Sequence, residues 1–181
     1  MEYFDIRNID GSITGEVKER SLVHRDGDLH GTVHIFIVRE SDQGAEVLLQ
    51  KRSKDKDAFP GCYDISSAGH LSAGQDYMEA ARRELKEELG IDASEDELRF
   101  IGYHEGHCDT EFYGKPFRNH ELSAVYLYEK EIDAEQLVLQ EEEVESVKWM
   151  SLAECKQKAM EGDPGYCLFE KEMCMLEEAL Q

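Results

Sequence analysis

Glu84, Glu87 and Glu88 stand on neighbouring turns of the stretch GHLSAGQDYMEAARRELKEELGI, residues 69–91. Residues three and four apart share a helix face, and like charges there cost a few tenths of a kcal/mol per pair. Something else should be using those carboxylates. Three oxygen ligands on a rigid element, next to a glycine-containing loop, suit a hard divalent cation such as magnesium or manganese. A diphosphate can bridge to that cation, which offsets phosphate charge and can lower the pKa of a bound water. Arg83, alongside, can pair with one carboxylate and fix its orientation. The bland alternative is an ordinary charged amphipathic helix, since Glu, Lys and Arg are good helix formers.

The surrounding chain must hold that helix in place. Asp76 can cap it, Glu79 completes a capping-box pair, and Gly90 can end it. Met78, Ala81, Leu85 and Leu89 form its apolar stripe at spacings of three and four. With Leu85 and Leu89 in the core, Glu84 and Glu88 lie at the edge of the buried face, with Glu87 nearby. EYFDIR and ITGEVKERSLVH alternate as strands around the turn signal NIDGS, and TVHIFIVRE and AEVLLQKR are joined by SDQG. ELRFIGYH and ELSAVYLYEKE read as strands flanking a polar, aromatic, His-bearing loop, and VESVKWM as one more. Ser151 and Glu154 mark a helix start, and GYCLFEKEMCMLEEAL reads as a terminal helix. The expectation is one mixed α/β (α+β) domain over 1–181, with a strand extension over 1–30 and C-terminal helices over 151–181.

At 181 residues, 40% hydrophobic and 34% charged, the chain suits a soluble globular protein. No apolar run approaches a membrane span, and the N-terminus lacks the pattern of a signal peptide. Five scattered cysteines without a CxxC pair read as reduced thiols, and the expected compartment is the cytoplasm. A formal net charge of -21 repels nucleic acid and anionic membranes, so neither is an expected partner. An anionic substrate would then need a cation at the site. The acidic runs late in the chain also fit a solvated, solubilising surface.

Gly69, five residues, Gln75, seven residues, then Arg83-Glu84-Leu85-Lys86-Glu87-Glu88-Leu89-Gly90-Ile91 resembles the Nudix box at every fixed position except Gln75, where the family pattern has Glu. The flanking LLQKRS, PGCYDISSAGH and VKWMSLAE look like the same family, so the resemblance covers most of residues 30–155. It implies an α/β/α sandwich whose mixed sheet lies between helices, with the box as a loop-helix-loop. It also implies magnesium-dependent hydrolysis of a diphosphate linked to another moiety. Glu84, Glu87 and Glu88 would be metal ligands or the water-activating base, the Ala68 carbonyl a further ligand, and Arg83 the group that orients Glu84. Glu121, in NHELSAVYL, matches the additional carboxylate that many members take from a later strand, as ligand or base.

HRDGDLHGTVHIFIV and the Gly69-His70 pair also resemble type I isopentenyl-diphosphate isomerases, which hold a metal with histidines at such positions. His24, His30, His70 and Glu121 would correspond. Against that activity, Ala68 replaces the expected catalytic cysteine with no thiol nearby, Asn119 replaces a second acid, and the box core is whole. Hydrolysis is the reading that results. A non-catalytic domain binding a diphosphate ligand is a third, from another class. Under the hydrolase reading His24 and His30 can be packing or turn residues, His34 a strand-face residue, and His70 a neighbour of metal or phosphate. His104, His107 and His120 flank the expected loop as candidates for substrate contact. Lys51 and Arg52 could meet substrate phosphate, followed by Lys54 and Lys56, although surface solubility explains them equally well. Tyr63, Phe112, Tyr113 and Phe117 could stack on the substrate or pack in the core. The N-terminal strands could cap the pocket or form a homodimer surface. Gln75 contributes no charge, so replacing it as Gln75→Glu should tighten magnesium binding in a calorimetric titration, and unchanged affinity would argue against that role.

Overall fold

A computed structural model describes residues 1–181. Its spine is β3 (Leu29–Ser41), buried from Leu29 to Ile37. Such burial on both faces follows from a strand covered by elements above and below. β3 runs parallel to β8 (Lys115–Tyr128) across Leu29–Ile37. On its other edge it pairs first with the short β6 (Ser67–His70), then with β4 (Gly44–Arg52), both antiparallel. β4 carries β9 (Val144–Ser151) antiparallel beside it, and also meets β5 (Tyr63–Asp64), which β10 (Tyr166–Cys167) joins in parallel.

Successive side chains along β3 face opposite layers. Val33, Ile35 and Ile37 pack with Ala81, Leu85 and Leu89 of α2 (Tyr77–Leu89). Phe36 instead joins Val125, Leu127, Cys155, Met173 and Leu176, which brings in α3 (Leu152–Glu161) and α4 (Glu170–Ala179) on the other face. The result is the α/β/α sandwich expected from the box. Leu85 and Leu89 are fully buried and each contributes roughly 1.5–3 kcal/mol through burial, which outweighs the carboxylate repulsion on the same helix. The expected cap is present: the Asp76 carboxylate accepts from the Glu79 N–H at 2.8 Å, and Glu79 accepts back from the Asp76 N–H at 3.3 Å. Gly90 ends α2 at φ 72°. Met78 only flanks this core, and the central positions are Ala80 and Ala81.

Three elements differ from the sequence reading. β1 (Tyr3–Arg7) and β2 (Ile13–Glu19) form the expected hairpin, but the strand stops at Glu19 and the chain turns into α1 (Arg20–Asp26). Burial of Val23 and His24 on one side favours the helix, and Gly27 ends it at φ 76°. The expected loop between the later strands does not exist. β7 (Leu98–Phe112) and β8 pair antiparallel from Leu98 and Tyr128 to Phe112 and Lys115, with one bulge at Ile101 between Phe100 and Gly102. Polar residues occupy its inward positions (His104, Gly106, Cys108, Asn119, Glu121) because they face a site rather than the core, so the apolar alternation that signals a strand is missing. Lastly, Tyr166 and Cys167 belong to β10, and the terminal helix begins at Glu170. No helix is long and apolar enough to cross a membrane, and all five cysteines are unbonded.

Candidate active site

The carboxylates of α2 press against β6 where the strand has no side chain. A Cβ placed on Gly69 would lie 1.9 Å from the Glu84 carboxylate carbon. Arg83 ties this contact together. One of its terminal nitrogens, Nη1, donates to Glu84 Oε1 at 2.7 Å and to Glu87 Oε2 at 3.1 Å. The other, Nη2, donates to the His70 carbonyl at 2.8 Å and to Gln75 Oε1 at 3.3 Å. The departure from the box at Gln75 therefore touches the arginine that orients Glu84. Glu88 is buried, and its Oε2 accepts from Ser67 Oγ at 2.7 Å, Gln50 Nε2 at 3.0 Å and the Ala68 N–H at 3.2 Å. Since N–H and C=O of one strand residue point to the same edge, the Ala68 carbonyl also looks toward these carboxylates. Burial, with Glu88 nearby, pushes the Glu84 carboxyl up to about 8, and burial raises Glu88 as well. Burial thus favours the protonated form of both acids while a bound cation would favour the ionised form, and their oxygen donors suit magnesium.

On the opposite face of β6 is a second donor set. His24 from α1, His30 from β3 and His70 from β6 bring ring nitrogens within 4.8 Å of one another. The Nε2 atoms of all three are buried and unpartnered. His30 Nδ1 lies 2.9 Å from the Asp28 carbonyl and donates to it, which leaves the Nε2 lone pair facing the cluster. Glu121 joins them, its Oε1 3.5 Å from His70 Nε2 and 3.9 Å from His30 Nε2. Burial lowers His24 to about 3, lowers His30, and takes His70 well below the usual imidazole range. Neutral imidazoles are the ligand form, and three with a carboxylate suit manganese or zinc. His24 and His30 are thus not separate turn residues. Phe4 of β1 stacks on His70 at 4.8 Å and His30 at 5.3 Å, so the N-terminal strand walls this pocket.

The basic residues are distributed differently from the sequence expectation. Lys51 pairs with Glu145 at 2.8 Å, and Arg52 pairs with Asp64 at 3.0 Å while also holding the Ala58 carbonyl. Lys56 is the cation beside the acids. It pairs with Glu143, and its ammonium is held below its ordinary pKa by burial and Arg52 while Glu88 and Glu84 oppose that effect. His107 and His120 pair with Asp109 and Glu105, and His104 is buried elsewhere, so none of the three meets the cluster. Phe112 and Phe117 pack with Phe59 at the hairpin tip, and Phe117 also packs on His24 at 4.8 Å. Tyr63 instead stacks on Tyr166, and Tyr113 is exposed.

Sequence reasoning missed Gln50 and Ser67, which fix Glu88 and lie far from it in the chain. It also found no thiol near the site. The register corrects this: Cys108 lies opposite Asn119 and one strand position of the same face from Glu121. The Cys108 thiol is kept protonated by burial, then by Asp109 and Glu121, and the Asn119 Oδ1 is buried without a partner.

Two outcomes follow from this geometry. Gly69→Ala should displace Glu84 and weaken magnesium binding at least tenfold, about 1.4 kcal/mol, with the far-ultraviolet circular dichroism unchanged. Because a bound cation needs Glu84 ionised and the free protein holds it protonated up to about 8, magnesium affinity should rise from about pH 6 to about pH 8. A flat profile by titration calorimetry would count against that proton.

The NUDIX domain family model matches residues 28–169. Over 171 residues the chain is 43% identical to Nudix hydrolase 3 of Arabidopsis thaliana, covering 93% of this chain and 22% of that protein. A Nudix hydrolase of Clostridium acetobutylicum is 36% identical over 143 residues, covering 79% of this chain and 66% of its own length. The chain thus spans about a fifth of the plant relative and just under two thirds of the bacterial one. The NUDIX domain of Shewanella oneidensis NrtR, solved with ADP ribose, shares the fold at a TM-score of 0.55 and 17% identity, over 83% of this chain and 88% of that one. The chain belongs to the NUDIX domain family.

Proposed function

We propose that the chain is a magnesium-dependent Nudix pyrophosphohydrolase, cleaving a nucleoside diphosphate or another diphosphate linked to a second moiety. The observation that carries this reading is the carboxylate set of α2, intact and docked on Gly69. Glu84, Glu87, Glu88 and the Ala68 carbonyl would hold the cation, which when bound offsets phosphate charge and lowers the pKa of a water. Arg83 orients Glu84 and Glu87 through its fork of donors. Lys56, beside the same acids, meets the phosphate oxygens. Glu84 and Glu121 are the two candidate bases, carboxylates held at the site by Arg83 and beside His70 respectively.

A second reading has its own support. His24, His30, His70 and Glu121 converge as the isomerase resemblance implies, manganese or zinc fits them, and Cys108 offers a protonated thiol on the same face as Glu121. A domain that only binds its ligand is disfavoured by the intact Glu84, Glu87 and Glu88. The solved relative carries ADP ribose, which places that compound in the panel that decides.

Phosphorus NMR with magnesium, across nucleoside diphosphate sugars, ADP ribose, dinucleotides, coenzyme-type diphosphates and isopentenyl diphosphate, should show new phosphate resonances that vanish in Glu88→Gln. Proton NMR showing isopentenyl diphosphate rearranged with its diphosphate whole would support the isomerase reading. Binding without any product would support the third. Glu121→Gln should cut turnover at least ~10²-fold, as loss of an acid-base group does, and a fall below about threefold would remove Glu121 from the chemistry.

A further inference from the structure

Deeper along the same face of β3, two residues beyond Thr32, lies a cluster that the diphosphate chemistry does not use. His34 of β3, His104 of β7 and Glu172 of α4 are all buried. Both imidazoles converge on one carboxylate oxygen: His34 Nδ1 stands 2.6 Å and His104 Nδ1 2.9 Å from Glu172 Oε1. The other oxygen, Oε2, is buried with no partner. A buried carboxylate oxygen without a donor is left desolvated, and the two imidazoles, both on Oε1, do not relieve it.

We propose that His34, His104 and Glu172 form a second, structural metal site for zinc or a similar late first-row cation. Two imidazole nitrogens and a carboxylate are donors of that class, whereas an all-oxygen shell would be expected for magnesium. The three side chains come from two strands and a helix, and their ligand atoms already lie within 4.8 Å of one another. Ligands of a tetrahedral zinc sit roughly 3.4 Å apart given bonds near 2.0–2.1 Å, so His34 Nδ1, now 2.6 Å from Glu172 Oε1, must move away by about 0.8 Å and His104 Nδ1, at 2.9 Å, by about 0.5 Å. The cation replaces the protons now shared with Oε1, and Oε2 gains the positive partner it lacks. The surroundings are those of a supported ligand set. His34 Nε2 lies 3.4 Å from Ser123 Oγ, which is 2.7 Å from Thr32 Oγ1, so the far nitrogen is held as outer-shell partners hold it. Phe169 covers His104 edge-on at 4.6 Å. Occupied, the site would tie α4 to the sheet.

The test separates this site from the His24 cluster. A His24→Ala/His70→Ala protein, stripped with chelator, is dialysed against zinc and its metal content measured, with cobalt substituted in parallel for visible absorption. One equivalent of zinc, with a raised thermal midpoint, should remain bound in that background. Adding Glu172→Gln should remove it, and so should His104→Gln, which keeps similar volume in case the first variant folds poorly. No retained zinc in the background protein would overturn the proposal, as would an equivalent that survives both further substitutions, leaving a buried ion pair. Hydrolysis can fail while this site binds, or the reverse, so the two readings stand or fall separately.

Discussion

The closeness of Glu84 to the bare backbone at Gly69 is the constraint on which the site depends. With no Cβ at that position, α2 settles onto β6 and its carboxylates reach the strand edge. Arg83 then bridges helix and strand by donating to Glu84, Glu87 and the His70 carbonyl together. The same approach brings Glu88 within reach of Ser67 and the Ala68 N–H. Any side chain at residue 69 would push the helix out and dissolve these contacts as a group, because they share one interface.

β6 separates two kinds of donor. Toward α2 it meets carboxylates, a hard set, and toward α1 and β1 it presents His70 among neutral imidazoles. Burial acts on both with opposite chemical sense, raising the acids and lowering the bases, and it leaves each set less charged than in water. In a chain of net charge -21, such neutralisation lowers the negative charge at the site. Lys56 adds positive charge at that edge beyond Arg83.

The β7–β8 hairpin is the other organising element. Its inner face carries Phe112 and Phe117 at the tip, Cys108 and Asn119 next, Glu121 beside the histidines, and His104 deepest against Glu172. One pair of strands thereby connects the mouth of the pocket to the helix that closes the sandwich. Polarity along an inward face is what a site requires, and it is also what hides a strand from pattern reading.

Much was legible in the sequence: the box with its carboxylates and Arg83 and the capping box at Asp76 and Glu79 from residue spacing, and the α/β/α layering through the family resemblance. The box and the cap are local features, set by residue spacing within one element, so they can be read without coordinates. What depends on register between distant strands was decided only by the tertiary structure. The pairing of β3 with β6 and β8 gives physical form to the set of His30, His70 and Glu121 that the isomerase resemblance implied, while the β7–β8 register alone put Cys108 across from Asn119. Gln50 reached Glu88 from 38 positions away, while Lys51 and Arg52 were drawn off by acids that no motif points to. A side chain's partners across a sheet follow from how strands align, and a shift of one residue would send each of them to the opposite face.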